Sequence, residues 1–132
     1  MKESTRKILE ELTERYPQLA GEKANVEKAF AILNDCYKAG KKVMTCGNGG
    51  SAADSEHIVG ELMKKFRKPR AIRKEVYEKL SAFGEEGKRL QATLEGTLRA
   101  VSLTSHISLS TAFANDREPA MCFAQQLYGL AD

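Results

Sequence analysis

Two groups of residues in this chain are equipped for chemistry. The first is Gly47-Asn48-Gly49-Gly50-Ser51. Glycines let a backbone approach a ligand closely. Where such a loop opens a helix, the free N–H groups at the helix start point at an anion. Ser51 adds a hydroxyl donor there, and Asn48 offers a side-chain amide or a left-handed backbone. The second group is Asp54, His57 and Glu61, which fall on one side of a helix. His57 and Glu61 stand one turn apart. At that spacing an imidazole and a carboxylate can share a metal ion or act as an acid/base pair. Two ligands do not complete a zinc site, which takes three or four. The polar face begins beside the glycine loop, so together they suit a phosphate ester.

Each group also has a plainer reading. The loop can be a tight turn with Ser51 as helix N-cap. The face can be a solvated helix surface with a His–Glu hydrogen bond. Gly47-x-Gly49-x-x-Ala52 also loosely fits a dinucleotide fingerprint. That motif needs an acidic residue about 20 positions on, ending the next strand. Phe66-Arg67-Lys68-Pro69-Arg70 stands there instead, with neither strand nor acid.

The elements that must position these residues follow from periodicity. Ile8, Leu9, Leu12 and Tyr16 predict a helix over 2–16, stopped by Pro17. Val26, Ala29, Phe30, Leu33 and Tyr37 predict a second over 22–39, with Gly40 closing it. Lys42 to Cys46 reads as a short buried strand. A helix from Ser51 to about Phe66 follows the loop, with Val59, Leu62, Met63 and Phe66 on its apolar side. Residues 64–74 read as a basic loop, and weaker helices are expected near 73–83 and 85–96. Ala100 to Leu103 suits a second strand and 105–115 a further helix. The last helix starts at Pro119 and carries Phe123, Leu127 and Leu130.

This order predicts an α/β fold with a parallel sheet. Two strands make a small sheet that needs cover on both faces. The apolar helix faces then have little to pack against, which predicts self-association or a larger domain.

At 132 residues the chain is one domain by length, and its net charge of +3 creates no general pull on nucleic acid. Cys36, Cys46 and Cys122 form no CxxC pair and read as reduced thiols. The polar start is no secretory signal. The uncharged stretch 100–115 is too short for a membrane span. A cytoplasmic location is expected from these absences. Lys64, Lys65, Arg67, Lys68, Arg70, Arg73 and Lys74 concentrate the positive charge and leave the rest of the chain net negative. A solvated loop at a helix end accounts for them. A phosphate-collecting rim is the next reading, and nucleic acid is disfavoured because Phe66 is the one aromatic among them.

Cys46 to His57, followed by Glu61-Leu62, resembles the signature of bacterial phosphoheptose isomerases, a branch of the sugar isomerase (SIS) domain family. Ser110-Thr111-Ala112-Phe113-Ala114-Asn115-Asp116 resembles a second, weaker motif of the same branch. The resemblance covers the whole chain as a single partial SIS domain (1–132). It has an N-terminal helical pair over 1–40, and 64–96 resembles an insertion.

The resemblance implies a helix-rich three-layer α/β sandwich cut to its N-terminal part. It implies conversion of sedoheptulose 7-phosphate to D-glycero-D-manno-heptose 7-phosphate, on the way to lipopolysaccharide or other surface heptose. Asn48, Gly49, Gly50 and Ser51 would hold the phosphate. Asp116 would bind sugar hydroxyls, and Lys65 stands where many relatives have Arg. Glu61 would be the base moving a proton between C1 and C2, with His57 beside it. His57 and Glu61 would be zinc ligands where metal is present. Dimers or tetramers are implied.

The family's second half adds a Ser/Thr-rich phosphate loop and a late helix with Gln and His. The chain reaches Asp132 before either, and His106 does not replace that histidine. Sugar-phosphate binding is therefore the expectation, with catalysis lacking those residues. The alternative within the family is a non-catalytic adaptor that assembles a replication initiator.

Overall fold

The helical spacing of Ile8, Leu9 and Leu12 is realised in α1, Glu3–Arg15. Proline has no N–H for a helix interior, so Pro17 stops α1 and opens a short 3-10 helix, Pro17–Glu22. That turn, not anticipated from the pattern, leads into α2, Lys23–Lys38. Gly40, at φ +70°, takes the left-handed conformation that closes α2. These elements form the first of two compact units, Met1–Lys41, in a computed structural model that describes residues 1–132. Along α2, Val26, Phe30 and Leu33 remain 40%, 38% and 44% exposed. These residues form a partly exposed apolar stripe.

The second unit is Lys42–Asp132. Its centre is a two-stranded parallel sheet, β1 (Val43–Thr45) and β2 (Ala100–Ser102), pairing Val43 with Ala100, Met44 with Val101 and Thr45 with Ser102. The helix between them, α3 (Gly50–Met63), packs across both strands. Hydroxyls contribute to that contact. Ser55 and Ser102 are buried, their Oγ atoms 2.9 Å apart, and Thr45 Oγ1 donates to Ser55 O at 3.1 Å. Buried hydroxyls need partners, and these supply one another.

The sequence pattern carried α3 to about Phe66, but it ends at Met63. The Arg70 guanidinium is the reason. It donates to the carbonyls of Glu61 at 3.4 Å and Leu62 at 2.7 Å, and to that of Lys64. Helix-end carbonyls lack partners within the helix, and one side chain collects three of them. Phe66 therefore leaves the expected apolar face and stands 77% exposed, while Val59 and Leu62 are half-buried. The same Arg70 joins the two ends of the following segment: its Nε donates to Gly96 O at 2.8 Å, and Gly96 N–H to Arg70 O at 2.7 Å. Between these ends lie α4 (Lys74–Leu80), a 3-10 turn (Ser81–Phe83) and α5 (Gly84–Thr93).

Beyond β2 come α6 (Ile107–Asp116), a 3-10 turn (Pro119–Met121) and α7 (Cys122–Leu130). The α-helical part of the last element thus starts three residues after Pro119. Lys42, at the foot of β1, donates to Leu130 O at 2.8 Å and pairs with Asp132. The result is a helix-rich α/β chain with a parallel sheet flanked by helices. Apolar burial is sparse: Leu9, Ala100 and Leu103 are its buried hydrophobic residues, against nineteen exposed large ones. No helix is long and apolar enough to cross a membrane.

Candidate functional site

In parallel α/β sheets ligands bind outside the carboxyl ends of the strands. The glycine loop leaves β1 at that edge. Gly49 adopts φ +56° and ψ −124° immediately before α3 and occupies the N-cap position. No side chain caps the helix, so the plain reading with Ser51 as N-cap does not hold. Ser51 N–H donates to Asn48 O and Ala52 N–H to Gly49 O, both at 3.1 Å. The N–H groups of Gly49 and Gly50 meet no protein acceptor. Asn48, Gly49, Gly50 and Ser51 are all exposed. The loop is an open set of donors at a helix start, the arrangement that favours an anion.

Gly47 is fixed by crowding. A Cβ there would stand 2.5 Å from Ser51 O, with Ser51 C and Cβ at 2.6 Å. Strand and helix can approach this closely only if position 47 has no side chain.

Down α3, His57 Nε2 lies 3.5 Å from Glu61 Oε1. The imidazole is largely exposed and the carboxylate only 27% exposed. Lys64 Nζ reaches the same Oε1 at 3.2 Å. Glu61 Oε2 is buried and has no hydrogen-bond partner. A buried carboxylate oxygen left unpaired is unfavourable, and it makes Glu61 a candidate site residue. Asp54 is exposed on the same helix. For zinc, His57 and Glu61 supply two donors, and no third His, Cys, Asp or Glu stands with them. This pair alone is short of the three protein ligands a catalytic zinc takes.

The structure does not draw all candidate residues together. Lys65 lies fifteen residues past Gly50, on the order of 20 Å along the helix direction from the loop. Its ammonium pairs with Glu95 Oε1 at 3.0 Å, and its N–H donates to Glu95 Oε2 at 2.8 Å. Asp116, at the end of α6, accepts from the Asn115 side chain at 2.9 Å. It borders a shallow groove with Phe113, Arg117 and Gln125.

The Lys65–Glu95 contact has a pH signature. Hydrogen bonds from the Lys65 backbone, then from its side chain, hold the Glu95 carboxyl below its ordinary value, and the charges of Lys65 and Arg70 add to this. A carboxyl lowered in the folded state stabilises the fold above its unfolded pKa, and that contribution disappears as pH falls through the lower folded value. Acidification through the carboxylate range should release the Lys65 amide, followed by NMR, and Glu95→Gln should remove the pH dependence. An unchanged Lys65 resonance down to strongly acid pH would contradict it.

Periodicity did not find three features. The first is the clamp of Arg70 on the α3 terminus. The second is Glu56 Oε1, which accepts from Thr104 Oγ1 at 3.2 Å and Ser105 Oγ at 3.3 Å. The third is Gln126, 1% exposed, whose Oε1 lies 2.8 Å from His106 Nδ1. Their one sequence signal was a Gln inside the apolar pattern of α7.

A family model for the SIS domain matches residues 4–105. A phosphoheptose isomerase of Akkermansia muciniphila is 30% identical over 130 residues, covering 98% of this chain and 56% of that protein. One from Clostridium acetobutylicum is 33% identical over 102 residues, covering 77% and 39%. One from Nitratiruptor is 34% identical over 107 residues, covering 81% and 44%. Among solved structures, a phosphoheptose isomerase from Neisseria gonorrhoeae superposes with a TM-score of 0.52 at 24% identity, over 96% of this chain and 50% of that one. That is a likeness of fold. The chain spans about half the length of the curated relatives it matches.

Proposed function

We propose that this chain, which belongs to the SIS domain family, binds a phosphorylated ketose and presents Glu61 as the base for a ketose–aldose isomerisation. The observation that carries the reading is the layout of α3. Its start is an open donor loop, and farther along are His57 and the half-orphaned Glu61 carboxylate. His57 lies about 10 Å and Glu61 about 16 Å along the axis from Gly50, at 1.5 Å per residue. An extended seven-carbon 7-phosphate, with its phosphate on the loop, directs its C1–C2 end toward that pair. Sedoheptulose 7-phosphate, with D-glycero-D-manno-heptose 7-phosphate as product, is the substrate this favours, and a role in surface-heptose synthesis goes with it.

In the reaction, the Glu61 carboxylate takes a proton from C1. The C–H electron pair forms the C1–C2 double bond, and the C2 carbonyl oxygen becomes the enediolate oxygen. Return of the proton to C2, with transfer of the O1 proton to O2, leaves an aldehyde at C1. A donor at the enediolate oxygen lowers the barrier, and His57, whose Nε2 lies 3.5 Å from Glu61 Oε1, is the residue we assign to that role. Zinc would supply Lewis-acid stabilisation of such an oxygen, but His57 and Glu61 give it two donors where a catalytic site takes three, so no step of the reaction is routed through it. Asp116 and Lys65 are assigned to the substrate by family resemblance. The open stripe of α2 supports self-association to a dimer or tetramer, which sedimentation equilibrium measures. A monomer at high concentration would remove that part of the proposal. The adaptor reading has no observation in its favour.

The direct test is calorimetric titration with sedoheptulose 7-phosphate, and then with inorganic phosphate, alongside an assay for aldoheptose 7-phosphate. Sugar-phosphate binding that Ser51→Ala weakens is expected. Failure of both ligands to bind would sink the reading.

A further inference from the structure

Gln126 is the largest fully buried side chain of the molecule, and it is polar. A buried amide is costly unless all its groups are paired. Here Nε2 donates to Ser110 Oγ at 3.1 Å and to Cys122 O at 3.3 Å. A carbonyl only accepts, so the amide orientation is fixed and Oε1 must face the His106 ring. Oε1 also only accepts. The ring nitrogen opposite it, Nδ1 at 2.8 Å, therefore carries the proton. In the neutral imidazole Nε2 is then a bare acceptor, with no protein partner.

The place of this imidazole gives the arrangement meaning. His106 ends the loop that leaves β2, the strand beside β1, and Leu103 N–H bonds Thr45 O at 2.9 Å. This loop and the glycine loop thus leave the same carboxyl edge of the sheet side by side. It is held on the α3 side by Glu56 through Thr104 and Ser105, and on the α7 side by Gln126. Such double fixation is what a contact group needs to meet a ligand without losing conformational entropy on binding.

We infer that the loop 103–106 is a second wall of the sugar-phosphate site and that His106 Nε2 contacts the ligand, its tautomer set by Gln126. The inference rests on the sugar-phosphate reading above. As a bare acceptor, Nε2 takes a hydrogen bond from a sugar hydroxyl. The partner it selects is therefore the polyol chain of the ligand, whereas the phosphate belongs to the glycine loop.

Ring 15N spectra of the full chain test this, with sedoheptulose 7-phosphate as the probe and the Ser51 amide as reporter of the loop. The neutral His106 ring should show the Nδ1–H tautomer. Its Nε2 resonance should move on ligand addition together with the Ser51 amide. Gln126→Leu should convert the ring to a mixture of tautomers. Should that variant not fold, His106→Asn supplies the second test: it keeps a donor toward Gln126 and loses Nε2. It should melt like the wild type and bind the sugar phosphate about tenfold more weakly, with inorganic phosphate binding unchanged. A ligand that moves Ser51 but leaves His106 still overturns the inference and spares the sugar-phosphate reading. The same holds for a wild-type ring of mixed tautomers, or for unaltered affinity in His106→Asn. Absence of any response at Ser51 overturns both.

Discussion

Gly47→Ala should remove sugar-phosphate binding and lower the melting temperature by roughly 10 °C or more, a destabilisation of about 2–3 kcal/mol. The added Cβ would sit 2.5 Å from Ser51 O and 2.6 Å from Ser51 C. Those are backbone atoms of the first turn of α3, so no flexible side chain can move aside. Either the loop shifts or the helix start does, and both carry the free donors of Gly49 and Gly50. Thermal melts and calorimetric titration of the variant measure the two effects. Wild-type stability together with wild-type binding would show that the strand-to-helix approach is looser than the structure has it.

Gly50→Ala is the informative control. Nothing lies within 4 Å of the position a Cβ would take there, and Gly50 is already helical. If the loop were only a turn, this change would be purely stabilising, by about 0.5–1 kcal/mol. As an anion cradle it needs close backbone approach at this position, so stability should rise while phosphate-ester affinity falls. Opposite movements of the two quantities separate a binding loop from a turn.

The glycine loop and the polar face of α3 were legible because both are local. A strand, a loop and a helix in succession define the donor site, and a four-residue spacing places His57 beside Glu61 at 3.5 Å. What sequence reasoning lost is what distant residues decide. The end of α3 is set by Arg70, outside the helix, drawing three carbonyls to one guanidinium. Hydrophobic periodicity alone carried the helix three residues too far. The seam of α3 on the sheet includes a hydroxyl pair 47 positions apart in sequence. Gln126 stands in an apolar helical pattern and reaches His106 across 20 positions. Each is a polar contact satisfied in three dimensions, which no one-dimensional period encodes.

Glu61→Gln is expected to leave the fold at least as stable as the wild type while lowering isomerisation about 10²- to 10⁴-fold, the range supplied by a positioned general base. The substitution keeps the shape and removes the proton acceptor. On the stability side, Oε2 is buried without a hydrogen-bond partner, so a neutral amide lowers the cost of burying a charged oxygen there. The contacts given up, to His57 at 3.5 Å and to Lys64 at 3.2 Å, involve largely exposed partners, and such contacts contribute little. A structural carboxylate would behave in the reverse way, with stability falling and turnover following it down in proportion. A group held in an unfavourable setting for catalysis gives up stability for function, and removing it moves the two apart. The assay must be read as kcat and KM separately. A lower kcat at constant KM identifies a group acting in the transition state. A raised KM at constant kcat would make Glu61 a ground-state sugar contact and return the proton transfer to another residue.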